Sequence, residues 1–226
     1  MTERGPDADR SENETDRSEN GADRGENRGD GTDRDAVDTL AWETVGTRID
    51  YTCPGFDVRA DDVRFPDGTT DEYHYVDESP AVVVLPFTPA GDVVVIDEWR
   101  QAVDRVNHGL PAGTVEPDDA DGPKAAGTND LETAAARELA EETGYAAQGG
   151  FEHLITVEPT NGITDSVHHH FLARDCEPTA ERDLDHNESI AVDVVDYDDL
   201  LAAVVDGNCR DGRTVTAVLQ YELTRR

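Results

Sequence analysis

Nine consecutive residues, Arg137-Glu138-Leu139-Ala140-Glu141-Glu142-Thr143-Gly144-Tyr145, constrain this chain more than any other stretch. On a helix, Glu138 and Glu142 are four apart and Glu141 is three from Glu138, so all three project from one face. Like charges at that spacing repel, and glutamates in a last turn also meet the negative end of the helix dipole. A helix shaped only for stability would carry Lys or Arg there. The arrangement makes sense if a hard divalent cation, which prefers oxygen ligands, covers that face. The plain alternative is a solvated acidic face. Leu131, Ala135 and Leu139 form an apolar stripe that reads as lying opposite the glutamates. Asn129 or Asp130 can cap the helix and Gly144 can end it.

The length, 226 residues, allows one domain with a proper core plus extra segments. The formal net charge is -33, from 52 acidic and 19 basic residues, and Lys124 is the one lysine. Such a charge strains a compact fold by self-repulsion at low salt. At molar salt the screening length falls to about 3 Å and much of that repulsion disappears. The acid excess runs through the chain, and the composition resembles cytoplasmic proteins of extreme halophiles. The acidity excludes broad nucleic-acid or anionic-membrane binding, which needs basic patches. No apolar run reaches the ~20 residues of a membrane span, and the N-terminus has no apolar signal core. Cys53, Cys176 and Cys209 are too few and scattered for a disulfide framework or a zinc site. Buried free thiols in a reducing cytoplasm fit better.

Residues 1–38 are expected to form a disordered acidic tail, with almost no large apolar residue. Asp9-Arg10-Ser11-Glu12-Asn13 repeats, with small changes, at Asp16 and Asp23, but no position of the repeat is apolar, which excludes a coiled coil. Residues 39–80 read as a small N-terminal β-region, with strands over 51–75 around a turn at Pro66-Asp67-Gly68-Thr69. Residues 81–226 read as the main domain. Ala81–Leu85 and Val93–Ile96 flank Pro89-Ala90-Gly91-Asp92, which predicts a hairpin. Leu110-Pro111-Ala112-Gly113 reads as a turn or bend, and residues 116–128 as a polar loop. Further strands are expected over 151–157, 167–172 and 190–195, with helices over 197–205 and 213–223. Strands interleaved with a few helices indicate an α+β domain. His168-His169-His170 falls in a strand, where side chains alternate sides, so one metal does not easily take all three.

These residues together resemble the Nudix hydrolases. The box of that family is Gly-x5-Glu-x7-Arg-Glu-U-x-Glu-Glu-x-Gly-U, with U a bulky apolar residue. Arg137, Glu138, Leu139, Glu141, Glu142, Gly144 and Tyr145 match its second half without a gap. Leu110-Pro111-Ala112-Gly113 resembles the usual lead-in of ADP-ribose pyrophosphatase-like members, with Gly113 as leading glycine. The box separates that glycine from its arginine by fourteen positions, whereas Gly113 and Arg137 are 24 apart. About ten residues are therefore inserted within 119–129, and the first box glutamate falls on Asp119 or Asn129. Glu98-Trp99-Arg100-Gln101 resembles the acidic–aromatic–Arg segment of the same branch. Pro159-Thr160-Asn161-Gly162 resembles its Ser-Pro-Gly loop, with Asn161 where proline is usual. His169-His170-Phe171-Leu172-Ala173 matches the strand that follows. Gly109 stands where a glutamate often precedes Leu110.

The resemblance implies a Nudix-type α/β/α sandwich with a mixed central sheet, and hydrolysis of the pyrophosphate bond of a nucleoside diphosphate derivative. ADP-ribose, giving AMP and ribose 5-phosphate, is the first expectation. Another nucleotide sugar or a dinucleotide, or a non-catalytic nucleotide-binding module, is the alternative. Mg²⁺, or Mn²⁺, would be held by Glu138, Glu142 and Glu141 and by the backbone carbonyl of Ala112. Arg137 would brace the helix, Gly113 and Trp99 would line the substrate, and Arg100 would fork onto phosphate oxygens. Glu188, in Asp185-His186-Asn187-Glu188, is the candidate general base, with Asp165 a weaker one. A homodimer whose N-terminal strands pack on the partner is also implied.

Overall fold

The computed structural model describes residues 39–116 and 128–225. The expected acidic tail and Asp119 lie outside these, and of Asn129 only the backbone, within a helix, is described. The elements from Trp42 onward form one unit. Three antiparallel strands come first: β1 (Glu43–Cys53), β2 (Phe56–Arg64) and β3 (Thr70–Asp77), in that spatial order. The β2–β3 turn uses Gly68 at φ +85°, where Asp67 accepts the Thr69 N–H. Trp42 packs edge-on against Phe65 and Tyr73.

Within the same unit follow β4 (Ala81–Pro86), β5 (Val93–Arg100), β6 (Arg105–Gly109), β7 (Ala112–Thr114) and α1 (Thr128–Thr143). There follow β8 (Ala146–Ala147), β9 (Phe151–Val157), β10 (His168–Ala173), β11 (Cys176–Glu177) and β12 (Ile190–Val195). The chain closes with α2 (Tyr197–Val205) and α3 (Gly212–Thr224). The central sheet runs β7-β4-β10-β9 and is mixed, because β4 and β10 pair in parallel while the outer pairs are antiparallel. A second, antiparallel sheet runs β12-β5-β6.

Strand β4 is an unbroken apolar run because both its faces are covered. Val82 and Val84 join Leu131, Ala135 and Leu139 of α1 in one core cluster. Val83 and Leu85 join Tyr197, Leu200, Ala217 and Val218 of α2 and α3 in the other. The central sheet thus lies between helices, as the α+β sandwich reading requires. Among the described residues no helix is long and apolar enough to cross a membrane.

Three local expectations change. The turn between β4 and β5 forms, with Gly91 at φ +93° and the Thr88 N–H donating to the Asp92 carbonyl at 2.8 Å. After the single bridge Phe87–Val93, however, the two strands part into different sheets. Both edges of β4 are taken by β7 and β10, and both edges of β5 by β12 and β6, so no hairpin ladder is left to form. Ala112 and Gly113 are not a bend but strand β7, paired with Val83 and Val82. Helix α1 begins at Thr128, so Asp130 lies inside its first turn rather than capping it.

Candidate active site

Helix α1 carries its acidic end against β7. Leu131, Ala134, Ala135 and Leu139 are buried in the core. Glu138 and Glu142 are buried too, at 7% and 2% exposure, so the glutamates do not simply face solvent opposite the stripe. Two contacts explain this. The Ala112 N–H donates to Glu142 Oε2 at 2.9 Å. Arg137 donates to Glu138 Oε1 at 2.9 Å, to Glu141 Oε2 at 3.0 Å and to the Thr114 carbonyl at 2.9 Å. One guanidinium therefore ties α1 to β7 and partly offsets two carboxylates. Gly113 makes the close approach possible: a Cβ there would lie 2.1 Å from the Glu138 carboxyl carbon.

The helix end is closed from outside. Gly144 takes φ +77° and donates to the Ala140 carbonyl at 2.8 Å. The last turn has no basic residue of its own, but Arg182 donates through Nε to the Glu142 carbonyl at 3.0 Å. Arg182 also reaches the Ile190 carbonyl at 3.0 Å, and the Asp183 N–H donates to the Glu141 carbonyl at 3.1 Å. These bonds hold the segment 182–190 over the glutamates. Within it, Glu188 Oε2 accepts the Asp185 N–H at 3.0 Å.

The result is a cavity of about 370 Å³ lined by Glu138, Glu141, Glu142 and Glu188, with Asp183 and Asp185 at its side. Burial pushes the Glu142 carboxyl up to about 8, with Glu138 adding to the rise and the Ala112 N–H opposing it. Burial likewise pushes Glu138 up to about 7, against the pull of Arg137. Two carboxyls that resist ionising where they stand fit a site completed by a cation. Their donors are all oxygens, which suits a hard divalent ion.

A second cavity, of about 710 Å³, adjoins the first. His168, His170, Val157, Pro159 and Thr160 line it, together with residues at the start of α3. Among the described residues, Arg100 and Arg213 are the two that line both cavities. Arg100 lies 2.7 Å from Glu98, and burial followed by the charge of Arg213 lowers its pKa. Trp99 lines neither cavity. It alternates away from Glu98 and Arg100 on β5, is 44% exposed and bonds Gln101 at 3.1 Å. Asp165 also lies outside the glutamate cavity, accepting the Glu78 N–H at 3.1 Å. His170 is fully buried, and neither ring nitrogen has a hydrogen-bond partner. Burial pushes its pKa down to about 4.

Sequence reading did not single out Arg182 or Arg213. Arg213 was only the start of an expected helix, and Arg182 stood in an acidic loop. Asp211, which caps α3 at sequence spacing three from Thr214, was the available signal.

Residues 77–213 match the model of the NUDIX domain family. The chain is 29% identical over 186 residues to an ADP-ribose pyrophosphatase of Bacillus subtilis (strain 168), spanning 82% of this chain and 95% of that one. It is 27% identical over 167 residues to a methanol dehydrogenase activator of Bacillus methanolicus, spanning 74% and 84%. A solved structure of an ADP compounds hydrolase superposes with a TM-score of 0.67 at 18% identity, covering 81% of this chain and 94% of the other.

Proposed function

This chain belongs to the NUDIX domain family and is a Nudix hydrolase resembling ADP-ribose pyrophosphatases, and from that premise we propose that it hydrolyses the pyrophosphate bond of ADP-ribose. One observation carries this reading: a cavity of buried carboxylates opens, past two arginines, into a cleft of about 710 Å³, which suits a nucleotide-sized group.

A divalent ion, Mg²⁺ or Mn²⁺, would be held by Glu138 and Glu142, with Glu141 and the Ala112 carbonyl completing the set. When bound, it screens the phosphate charge and polarises the phosphoryl oxygens. The remaining work falls to the chain itself. Arg100 forks onto phosphate oxygens. Gly113 leaves room for the Glu138 carboxylate beside the substrate. Arg137 keeps α1 in register with β7. Glu188 orients a water and takes its proton as the oxygen bonds to one phosphorus. The bond from that phosphorus to the bridging oxygen breaks, and AMP and ribose 5-phosphate leave.

The surroundings of the site support further readings. Val45, Ile49 and Tyr51 of β1 are exposed apolar residues, which fits a homodimer that covers this sheet. Trp99, outside both cavities of one protomer, would reach substrate only through such an assembly. The charge of -33 fits a cytoplasm rich in salt. We divide the chain into a tail (1–38), a β-region (39–80) and the hydrolase domain (81–226).

The test is turnover of a panel of nucleoside diphosphate derivatives, with Mg²⁺ or Mn²⁺, in molar KCl. Selective cleavage of ADP-ribose supports the proposal. Preference for another nucleotide sugar or a dinucleotide replaces the substrate. Tight binding without turnover would sink the catalytic reading. Light scattering of the same sample gives the oligomeric state.

A further inference from the structure

Arg213 is the second cation at the junction of the two cavities, and its placement is unusually constrained. Asp211 caps α3, accepting the Thr214 N–H at 3.0 Å and the Thr214 hydroxyl at 2.6 Å through Oδ2. Its other oxygen, Oδ1, accepts Arg213 Nε at 3.3 Å. Thr214 Oγ1 in turn accepts the Leu110 N–H at 2.9 Å, in the segment that leads into β7. A Cβ at residue 109 would lie 2.8 Å from Thr214 Oγ1, so Gly109 lets α3 approach this closely. The start of α3 is thereby anchored to the strand that carries Ala112 and Gly113.

This anchoring uses only part of the guanidinium. Nε is engaged by Asp211, while no hydrogen bond is formed by either terminal nitrogen among the described residues. The side chain is only 20% exposed and faces both cavities. Arg100 is close enough for the two charges to disfavour each other. Glu98 at 2.7 Å from Arg100 and Asp211 at 3.3 Å from Arg213 offset the two charges, and the donors they leave over stand where both cavities meet. His168 and His170 of β10 line the cleft next to this pair. The amino end of the 13-residue helix α3 adds a favourable field for negative charge.

We propose that Arg213 is a substrate-binding and specificity-determining residue: together with Arg100 it clamps a diphosphate at the mouth between the carboxylate cavity and the cleft. The clamp rests on the hydrolase reading for its substrate, but its chemistry is more general. Two guanidiniums sharing one anion favour a pyrophosphate linkage over a single phosphate.

The experiment uses the full-length protein in molar KCl, and inorganic pyrophosphate and inorganic phosphate as probes. Calorimetric titration without divalent metal compares wild type with Arg213→Gln. The expected result is pyrophosphate binding weakened by about tenfold or more, with phosphate binding changed less and the melting temperature retained. With Mg²⁺, KM for ADP-ribose should rise by a similar factor while kcat changes less. Pyrophosphate affinity and KM both within twofold of wild type would overturn the proposal. Should Arg213→Gln not fold, phenylglyoxal labelling of the wild-type protein with peptide mass mapping replaces it. Protection of Arg100 and Arg213 by pyrophosphate supports the clamp, and protection of Arg100 alone overturns it. A wild type that cleaves no nucleoside diphosphate derivative, yet loses pyrophosphate binding in Arg213→Gln, refutes the hydrolase reading and leaves the clamp standing.

Discussion

The two cavities are built in opposite ways. The carboxylate cavity draws Glu138, Glu141 and Glu142 from one helical turn and a half, and its bracing Arg137 from the same helix. The cleft draws Arg100 from β5, His168 and His170 from β10, and Arg213 from α3. One is a local, anionic device that a single helix presents. The other is assembled from three distant elements and carries two cations at its mouth. Under the proposed function the contrast is a division of labour: anions gathered for a cation on one side, cations gathered for the substrate's phosphates on the other.

Substitutions separate the two halves by size of effect. In the carboxylate cavity, Glu138→Gln should all but abolish turnover at saturating substrate, with loss of divalent-ion binding by calorimetry. A fully active variant would remove Glu138 from the site. Glu188→Gln should cost ~10²–10³-fold in kcat and leave metal binding intact, since a general base contributes about that much. Equal losses in the two variants would erase the distinction between ligand and base. Gly113→Ala should cost on the order of 10²-fold, because the added Cβ overlaps the Glu138 carboxylate and must displace it. Normal kinetics for that variant would mean that the carboxylate position is not critical.

The smallest effect is on stability. The metal-free carboxyls of Glu138 and Glu142 are raised to about 7 and about 8, above their ordinary value of 4.5. Between pH 4.5 and 8 the unfolded chain has released these protons while the folded chain still holds them. Stability contributed by the protonated carboxyls is therefore full below pH 4.5 and is lost as pH rises to about 8. Melting temperature in a chelator should contain a component that falls over this window, and adding Mg²⁺ at pH 8 should restore it. Glu138→Gln combined with Glu142→Gln should flatten that component. A double variant with an unchanged pH profile would assign the dependence elsewhere. His170, lowered to about 4, acts with the opposite sign, losing its contribution as pH falls from 6.5 to 4.

Legibility followed the same contrast. The helix ending at Gly144, the strand over 151–157 and the helix over 197–205 were readable because each rests on local signals: a φ-positive glycine, apolar residues spaced among polar ones, and the apolar stripe of Tyr197, Leu200 and Val204. The β4–β5 hairpin was readable as a turn but not as a pairing, because strand partners are chosen by which edges other strands occupy. Glu138 and Glu142 were readable as a set, but their burial was not. It depends on β7 and on Arg137 reaching the Thr114 carbonyl, across 23 positions of chain. Trp99 was judged by its neighbours in sequence, and alternation along β5 turned it the other way.

By itself, the sequence determined which residues share the acidic face of α1, where that helix stops, and that a charge of -33 must be screened or bound. Those follow from spacing, backbone preference and composition, which act within a few residues or on the chain as a whole. Only the tertiary structure decided that Glu142 would meet the Ala112 N–H, that Arg182 would close the helix end, and that Arg100 and Arg213 would stand at one junction. Each of those needs two distant segments brought to hydrogen-bonding or Coulomb range. That proximity comes from the packing of β4 between α1 on one face and α2 and α3 on the other, which no local pattern encodes.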